Sequence, residues 1–138
     1  YQLATRNGLR SSGATAYLKP ARRRSNLSIE TNAHATRIVF ENGRAAGVEY
    51  RQGGRLVTAR ANREVILSAG ALQSPQLLQL SGVGPAGLLG CHGIAVVRES
   101  PGVGENLQDH LQLRLIYRCA KPITTNDELN SITGRIKH

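Results

Sequence analysis

The sequence predicts an α/β fold in which an antiparallel three-stranded meander is inserted between strands of a helix-covered layer. Three observations carry this. Asn42-Gly43 and Gln52-Gly53-Gly54 separate three runs of strand-like residues. Glu64-Val65-Ile66-Leu67-Ser68 is a continuous apolar run of the kind found in a strand buried on both faces. A small-residue turn and a leucine-rich helical segment follow it directly, which is the start of a βα unit.

The elements follow in order. Ser11 to Lys19 suits a short helix that Pro20 stops, because its ring cannot continue the hydrogen-bond ladder. Asn26 to Thr31 alternates like a strand. Thr36 to Glu41 carries Ile38, Val39 and Phe40, and Asn42-Gly43 tolerates the positive φ of a tight hairpin. Arg44 to Arg51 is the return strand, and Leu56 to Ala61 completes the meander. After the buried strand, Ser74-Pro75 supplies an N-cap and a first-turn proline for a helix through Leu80, with Gly82 as its terminator. Pro85 to Leu89 is a second short helix, Ile94 to Arg98 a strand and Pro101 to Gly104 a loop. Asn106 to Leu111 is expected to form a helical turn and Leu113 to Arg118 a further strand; Lys121 to Asn130 is polar and irregular.

Eighteen Lys and Arg against nine Asp and Glu give the 138-residue chain a formal charge of +9. The first 24 residues hold Arg6, Arg10, Lys19, Arg22, Arg23 and Arg24 with no acid. Such a stretch attracts phosphate, yet nucleic-acid readers add stacking aromatics or a recognisable module, and here four Tyr and one Phe are scattered. A solvated or cofactor-facing basic surface is the better reading. No apolar run approaches the roughly 20 residues that span a bilayer, and no charged-then-apolar leader opens the chain. Cys91 and Cys119 have no metal-type spacing and read as reduced thiols. Tyr1 in place of Met, and an ending without a closing element, lead us to expect an internal piece of a longer protein.

Gly82-Val83-Gly84-Pro85-Ala86-Gly87 satisfies the GxGxxG spacing but follows a helix rather than a buried strand, so it reads as a helix stop and turn. Gly102-Val103-Gly104 has Leu107 at the third glycine position and reads as a sharp loop. His34, His92, His110 and His138 lack metal-ligand spacing. The Asp109-His110 neighbours are a structural hydrogen-bond pair before they are a dyad, and no serine has a nucleophile elbow.

The segment Gly70-Ala71-Leu72-Gln73-Ser74-Pro75-Gln76-Leu77-Leu78-Gln79-Leu80-Ser81-Gly82-Val83-Gly84 resembles the second signature of the glucose-methanol-choline (GMC) oxidoreductases. Ser11-Ser12, Ala16-Tyr17-Leu18, Pro20, Asn26-Leu27, Gly47-Val48-Glu49-Tyr50 and Arg63 to Gly70 stand in the family's order. Pro101-Gly102-Val103-Gly104-Glu105-Asn106-Leu107-Gln108-Asp109-His110 resembles the passage from flavin domain to substrate domain. The wording is closest to the bacterial choline dehydrogenase-like branch.

The resemblance implies part of a Rossmann-like FAD-binding domain over 1–105, with the meander inserted, and the beginning of a substrate-binding domain over 106–138. It implies FAD as cofactor and a small-molecule alcohol, choline-like or another primary alcohol, as hydride donor. Ala35 takes the position, usually valine, whose main chain holds the adenine. Ser68, Ala69 and Gly70 end the buried strand where open α/β sheets place ligands. Asn106, with Asp109-His110, orders a loop near the cofactor. The family's pyrophosphate loop falls before Tyr1 and its catalytic histidine pair beyond His138, so no residue here is catalytic, no metal is expected and the isolated chain is expected to be inactive. We expect no nucleic-acid partner and a cytoplasmic protein, with peripheral membrane association as its variant. The electron acceptor and oligomeric state are not specified by these motifs. A basic polyanion-binding module and a non-functional truncated product, exposing apolar sheet edges, are the alternatives.

Overall fold

The computed structural model describes residues 4–121 and Asn126. It divides into two compact units, Tyr1–Leu107 and Gln108–His138. The first opens with a small hairpin of β1 (Thr5–Arg6) and β2 (Leu9–Arg10). A π-helical turn, Ala14–Leu18, then tightens into α1 (Lys19–Ala21). Pro20 therefore does not stop the helix where the sequence predicts. It lies at the seam between the wide and the tighter turn, and the helix ends one residue later.

β3 (His34–Glu41), β4 (Arg44–Gln52) and β5 (Arg55–Arg60) form the expected meander, in the order β3-β4-β5. Asn42 and Gly43 both have positive φ, 51° and 76°, as a two-residue hairpin with native twist requires. The register slips once on each strand: Thr36 is extra in β3 between Ala35 and Arg37, and Ala46 is extra in β4 opposite the Val39–Phe40 step. Gly47 sits where a Cβ would meet the Ala59 carbonyl oxygen at 2.4 Å, so β4 and β5 approach closely only because that side chain is missing.

α2 (Gly70–Leu80) starts a turn earlier than Ser74. Ala69 is the N-cap, and the Ser74 hydroxyl caps from inside the helix by accepting the Ala69 N–H at 3.1 Å. Pro75 is thus internal; its absent N–H leaves the carbonyl of exposed Ala71 free for water. Ser81 closes the helix, and Gly82, at φ 88°, turns the chain. A Cβ on Gly82 would lie 2.4 Å from the Ala95 carbonyl oxygen, so glycine is required there by conformation and by space.

The turn leads into β6 (Val83–Gly84), α3 (Ala86–Cys91) and β7 (Arg98–Glu99), and β6 pairs with β7 in parallel. α3 is the crossover that a parallel pair needs. It ends in a Schellman turn, with Ile94 N–H on the Leu89 carbonyl and Gly93 N–H on that of Gly90. The GxGxxG spacing is therefore a helix stop, a two-residue strand and a helix start, in agreement with the sequence reading.

Five expected elements differ. Asn26–Thr31, Glu64–Ser68 and Leu113–Arg118 form no strand, and Asn106–Leu111 forms no helical turn. The Ile94–Arg98 strand is reduced to β7. The cause is shared: alternation or apolarity gives a segment the capacity for a strand, but the ladder needs a second chain to bond, and none of the described residues pairs with these runs. Ile66 is accordingly 79% exposed, where a parallel-sheet core would bury it. The irregular stretch expected after Lys121 lies outside the described residues, apart from Asn126.

Among the described residues the buried apolar side chains are Ile38, Leu77 and Leu89, one each from β3, α2 and α3. Ser81 is the buried polar one. Its hydroxyl accepts the Ile38 N–H at 2.7 Å and donates to the Leu77 carbonyl at 2.5 Å, which joins β3 to the end of α2. Replacing Ser81 by alanine leaves a buried N–H without a partner, a loss of about 1–3 kcal/mol. We expect S81A to lower the chemical-denaturation midpoint of the protein accordingly, with S28A at an exposed position as a neutral control; equal midpoints for the two variants would refute this role.

Candidate functional site

Ala35 is the second residue of β3, exposed and registered opposite Tyr50. β3 is an edge strand, so part of its backbone has no partner within the sheet. The bulge at Thr36 directly follows Ala35 and is locked by side chains. The Thr36 hydroxyl lies 2.9 Å from Glu49 Oε1 and 3.1 Å from the Glu49 carbonyl oxygen, and Arg37 donates to Glu49 Oε2 at 2.9 Å. The guanidinium of Arg37, and then the Thr36 hydroxyl, hold the Glu49 carboxyl below its ordinary value of 4.5.

Ser68, Ala69 and Gly70 form the exposed approach to α2. Gly70 has φ 86°, and the space where its Cβ would stand is empty to 4 Å, so the backbone there is open to a ligand. Asn106 is also exposed and left-handed, with φ 56°. Between these two places runs an open groove of about 620 Å³, walled by Leu72, Ser74 and Leu78 of α2 and by Val103, Glu105 and Leu107 of the following loop. Gly70 adjoins one wall residue, Ala71, and Asn106 stands between two others. None of the five expected positions, Ala35, Ser68, Ala69, Gly70 and Asn106, is itself in these walls, so they are not gathered into one cavity.

The glycines of residues 82–87 offer no phosphate cradle. Gly82 N–H is bonded to the Gln79 carbonyl, and the Gly82 carbonyl accepts Val97 and Arg98 N–H groups. Those backbone groups are used inside the fold rather than presented to a ligand. Asp109 Oδ1 accepts the backbone N–H of His110 at 2.7 Å, so the hydrogen bond between these neighbours runs to the main chain of His110. Among the described residues no three His, Cys, Asp or Glu side chains converge as a metal site, and no helix is long and apolar enough to cross a membrane. Both cysteines are free and exposed. Arg6, Lys19, Arg22 and Arg23 share an open basic groove of about 590 Å³.

Two residues escaped sequence reasoning. Ser81 has a signal in its place within the signature, just before the helix-ending glycine. Gln79 has none: a polar residue on a helix face looks like a solvated one, whereas here its amide Nε2 donates to the Val103 carbonyl oxygen at 2.9 Å across 24 residues.

The sequence model of the GMC oxidoreductases matches residues 1–112. The oxygen-dependent choline dehydrogenase of Photobacterium profundum is 48% identical over 126 residues, 91% of this chain and 22% of that protein. The oxygen-dependent choline dehydrogenase of Serratia proteamaculans is 55% identical over 122 residues, 87% of this chain and 22% of that protein. Among solved structures, pyridoxine 4-oxidase from Mesorbium loti superposes with a TM-score of 0.70 at 36% identity, over 77% of this chain and 21% of that one. An FAD-dependent oxidoreductase from Chaetomium thermophilum gives 0.64 at 38% identity, over 70% of this chain and 17% of that one. The α/β class with its meander is thus one that occurs in flavin-dependent oxidoreductases. The chain belongs to the GMC oxidoreductase family, and it spans about a fifth of the length of the curated relatives it matches.

Glu49 gives a pH signature for the lock beside Ala35. Its folded pKa lies below its ordinary value, so its contribution to stability is complete above about pH 4.5 and is lost as pH falls through the lowered value. Relative to wild type, E49Q should be destabilised at pH 7, and the difference should shrink on acidification below about pH 4.5. A stability difference that is the same at pH 7 and pH 3 would refute the lock.

Proposed function

We propose that this chain is the middle of an FAD-dependent alcohol oxidoreductase, and that the whole protein oxidises choline or a related primary alcohol by passing a hydride to the flavin. The observation that carries the reading is identity of about half over most of the chain to proteins named oxygen-dependent choline dehydrogenase.

The residues present fit the adenosine end of such a cofactor. Ala35 offers an exposed backbone on an edge strand, and Ser68, Ala69 and Gly70 offer an open, small-residue approach with empty space before Gly70. They do not supply the pyrophosphate loop, since Gly82 and Gly84 are engaged internally. When bound, the flavin supplies the redox chemistry. In this reading Ala35 holds the adenine by main-chain contacts, Ser68 to Gly70 let the backbone approach the dinucleotide, and Asn106 orders the loop that leads to the substrate domain. The substrate domain begins near residue 106. No proton-transfer residue is assigned in the chain, which is inactive by itself. The compartment that suits this reading is the cytoplasm, with peripheral membrane contact as a variant.

The test is to express the full-length protein and read flavin absorbance together with choline-dependent acceptor reduction. We expect bound FAD, bleached by choline or a related primary alcohol, and no turnover by residues 1–138 alone. A full-length protein free of flavin that binds polyanions with a steep salt dependence would overturn the reading in favour of a basic binding module. A35V, which adds two carbons against the adenine in this reading, should tighten FAD retention several-fold at about 0.8 kcal/mol per buried carbon, measured by flavin release under dilution. Unchanged release would remove Ala35 from the adenine contact.

A further inference from the structure

Gln79 lies near the end of α2, half-buried, and faces two separate parts of the first unit, the loop at Val103–Gly104 and the short strand at Gly84. Its Nε2 donates to the Val103 carbonyl oxygen at 2.9 Å. A Cβ on Gly104 would stand 2.6 Å from that same nitrogen, and Gly104 is left-handed at φ 89°. A Cβ on Gly84 would stand 3.0 Å from Gln79 Cγ. Two glycines are thus shaped around one glutamine, and its single long-range hydrogen bond falls on the loop Pro101–Gly104.

That loop is otherwise thinly held. Val103 N–H reaches the Ser100 carbonyl at 3.1 Å and Glu105 N–H reaches that of Gly102 at a long 3.3 Å, both local turns. Neither fixes the loop to α2. Two residues beyond Gly104 stands Asn106, whose own left-handed φ makes its direction depend on how the preceding loop is set.

We propose that Gln79 is a positioning residue: its amide sets the loop 101–104 against α2 and so aims Asn106 and the passage into the substrate domain, without touching substrate itself. This rests on the flavin-oxidoreductase reading above. The chemistry required is a donor at the end of a two-methylene side chain. Methionine keeps the length but removes the donor. Glutamate keeps the shape but donates only when protonated, and when ionised it sets a negative charge against the carbonyl dipole.

The experiment uses the full-length protein as wild type, Q79M and Q79E. Amide hydrogen exchange is followed over residues 101–107, and steady-state turnover of choline with an artificial acceptor is followed across pH. Q79M should lose protection in that segment while keeping protection in β4, and kcat/KM should fall about tenfold with flavin content unchanged, the scale of one lost hydrogen bond. Q79E should be at least as impaired as Q79M at pH 8 and recover toward wild type, ratioed at each pH, as acidification protonates the introduced carboxyl. Wild-type protection and kcat/KM in Q79M would overturn the proposal, as would a Q79E defect that does not vary with pH. If Q79M fails to accumulate, the Q79E ratio across pH decides alone. Lack of alcohol turnover by the wild type would refute the oxidoreductase reading, whereas exchange at 101–107 still tests the role of Gln79.

Discussion

The first unit depends on one hydroxyl. Ser81 stands where α2 stops, and a helix end leaves carbonyls without intrahelical partners. A strand edge leaves N–H groups in the same condition. The Ser81 side chain resolves one of each, donating to the Leu77 carbonyl and accepting the Ile38 N–H, and it does so at 8% exposure, where an unmet polar group is most costly. Among the described residues no other hydrogen bond joins the meander to the end of α2. Ile38 and Leu77, the apolar neighbours of the two bonds, are buried as a consequence of the docking that the bonds fix.

The same residue explains why the signature places glycine next. Once Ser81 is held against β3, the chain must reverse at once to run beneath α2, and Gly82 does this with a left-handed φ while its carbonyl accepts N–H groups from Val97 and Arg98. The following pair, Val83–Gly84, has just enough length to pair with Arg98–Glu99, and Gly84 yields its side-chain space to Gln79. Serine, glycine and glycine in this short stretch are thus three answers to packing, and the phosphate-loop appearance of their spacing is incidental.

What the sequence reveals follows from where each element finds its partner. The meander was legible because every strand's partner lies one turn away and the turns, Asn42-Gly43 and Gly53-Gly54, carry residues that accept positive φ. The helix stop at Gly82 and the loop at Pro101–Gly104 were legible for the same local reason. The runs Asn26–Thr31, Glu64–Ser68 and Leu113–Arg118 have strand-like composition, but a composition does not say which chain supplies the ladder. The start of α2 was misread because Ser74-Pro75 is a strong local cap signal, whereas the cap is made a turn earlier and Ser74 serves it from within. For the candidate site, Ala35, Ser68 to Gly70 and Asn106 came from a resemblance, and composition could not have found them. Gln79 was invisible because its partner is distant in sequence.

Exposure gives the pattern a direction. Ile66 and Leu72 flank Gly70 on either side and are 79% and 70% exposed, although both side chains are large and apolar. Transferring such side chains out of water is worth about 1.5–3 kcal/mol each, so a chain that leaves them outside has its stabilising contacts still to make. The chain spans about a fifth of the length of its curated relatives. The well-buried part, β3 with α2 and α3, is the part whose partners lie within the first unit. The open approach at Ser68 to Gly70 therefore lies between that core and the exposed segment Glu64–Ser68, which has no strand partner among the described residues, and the backbone freedom of Gly70 falls at that border.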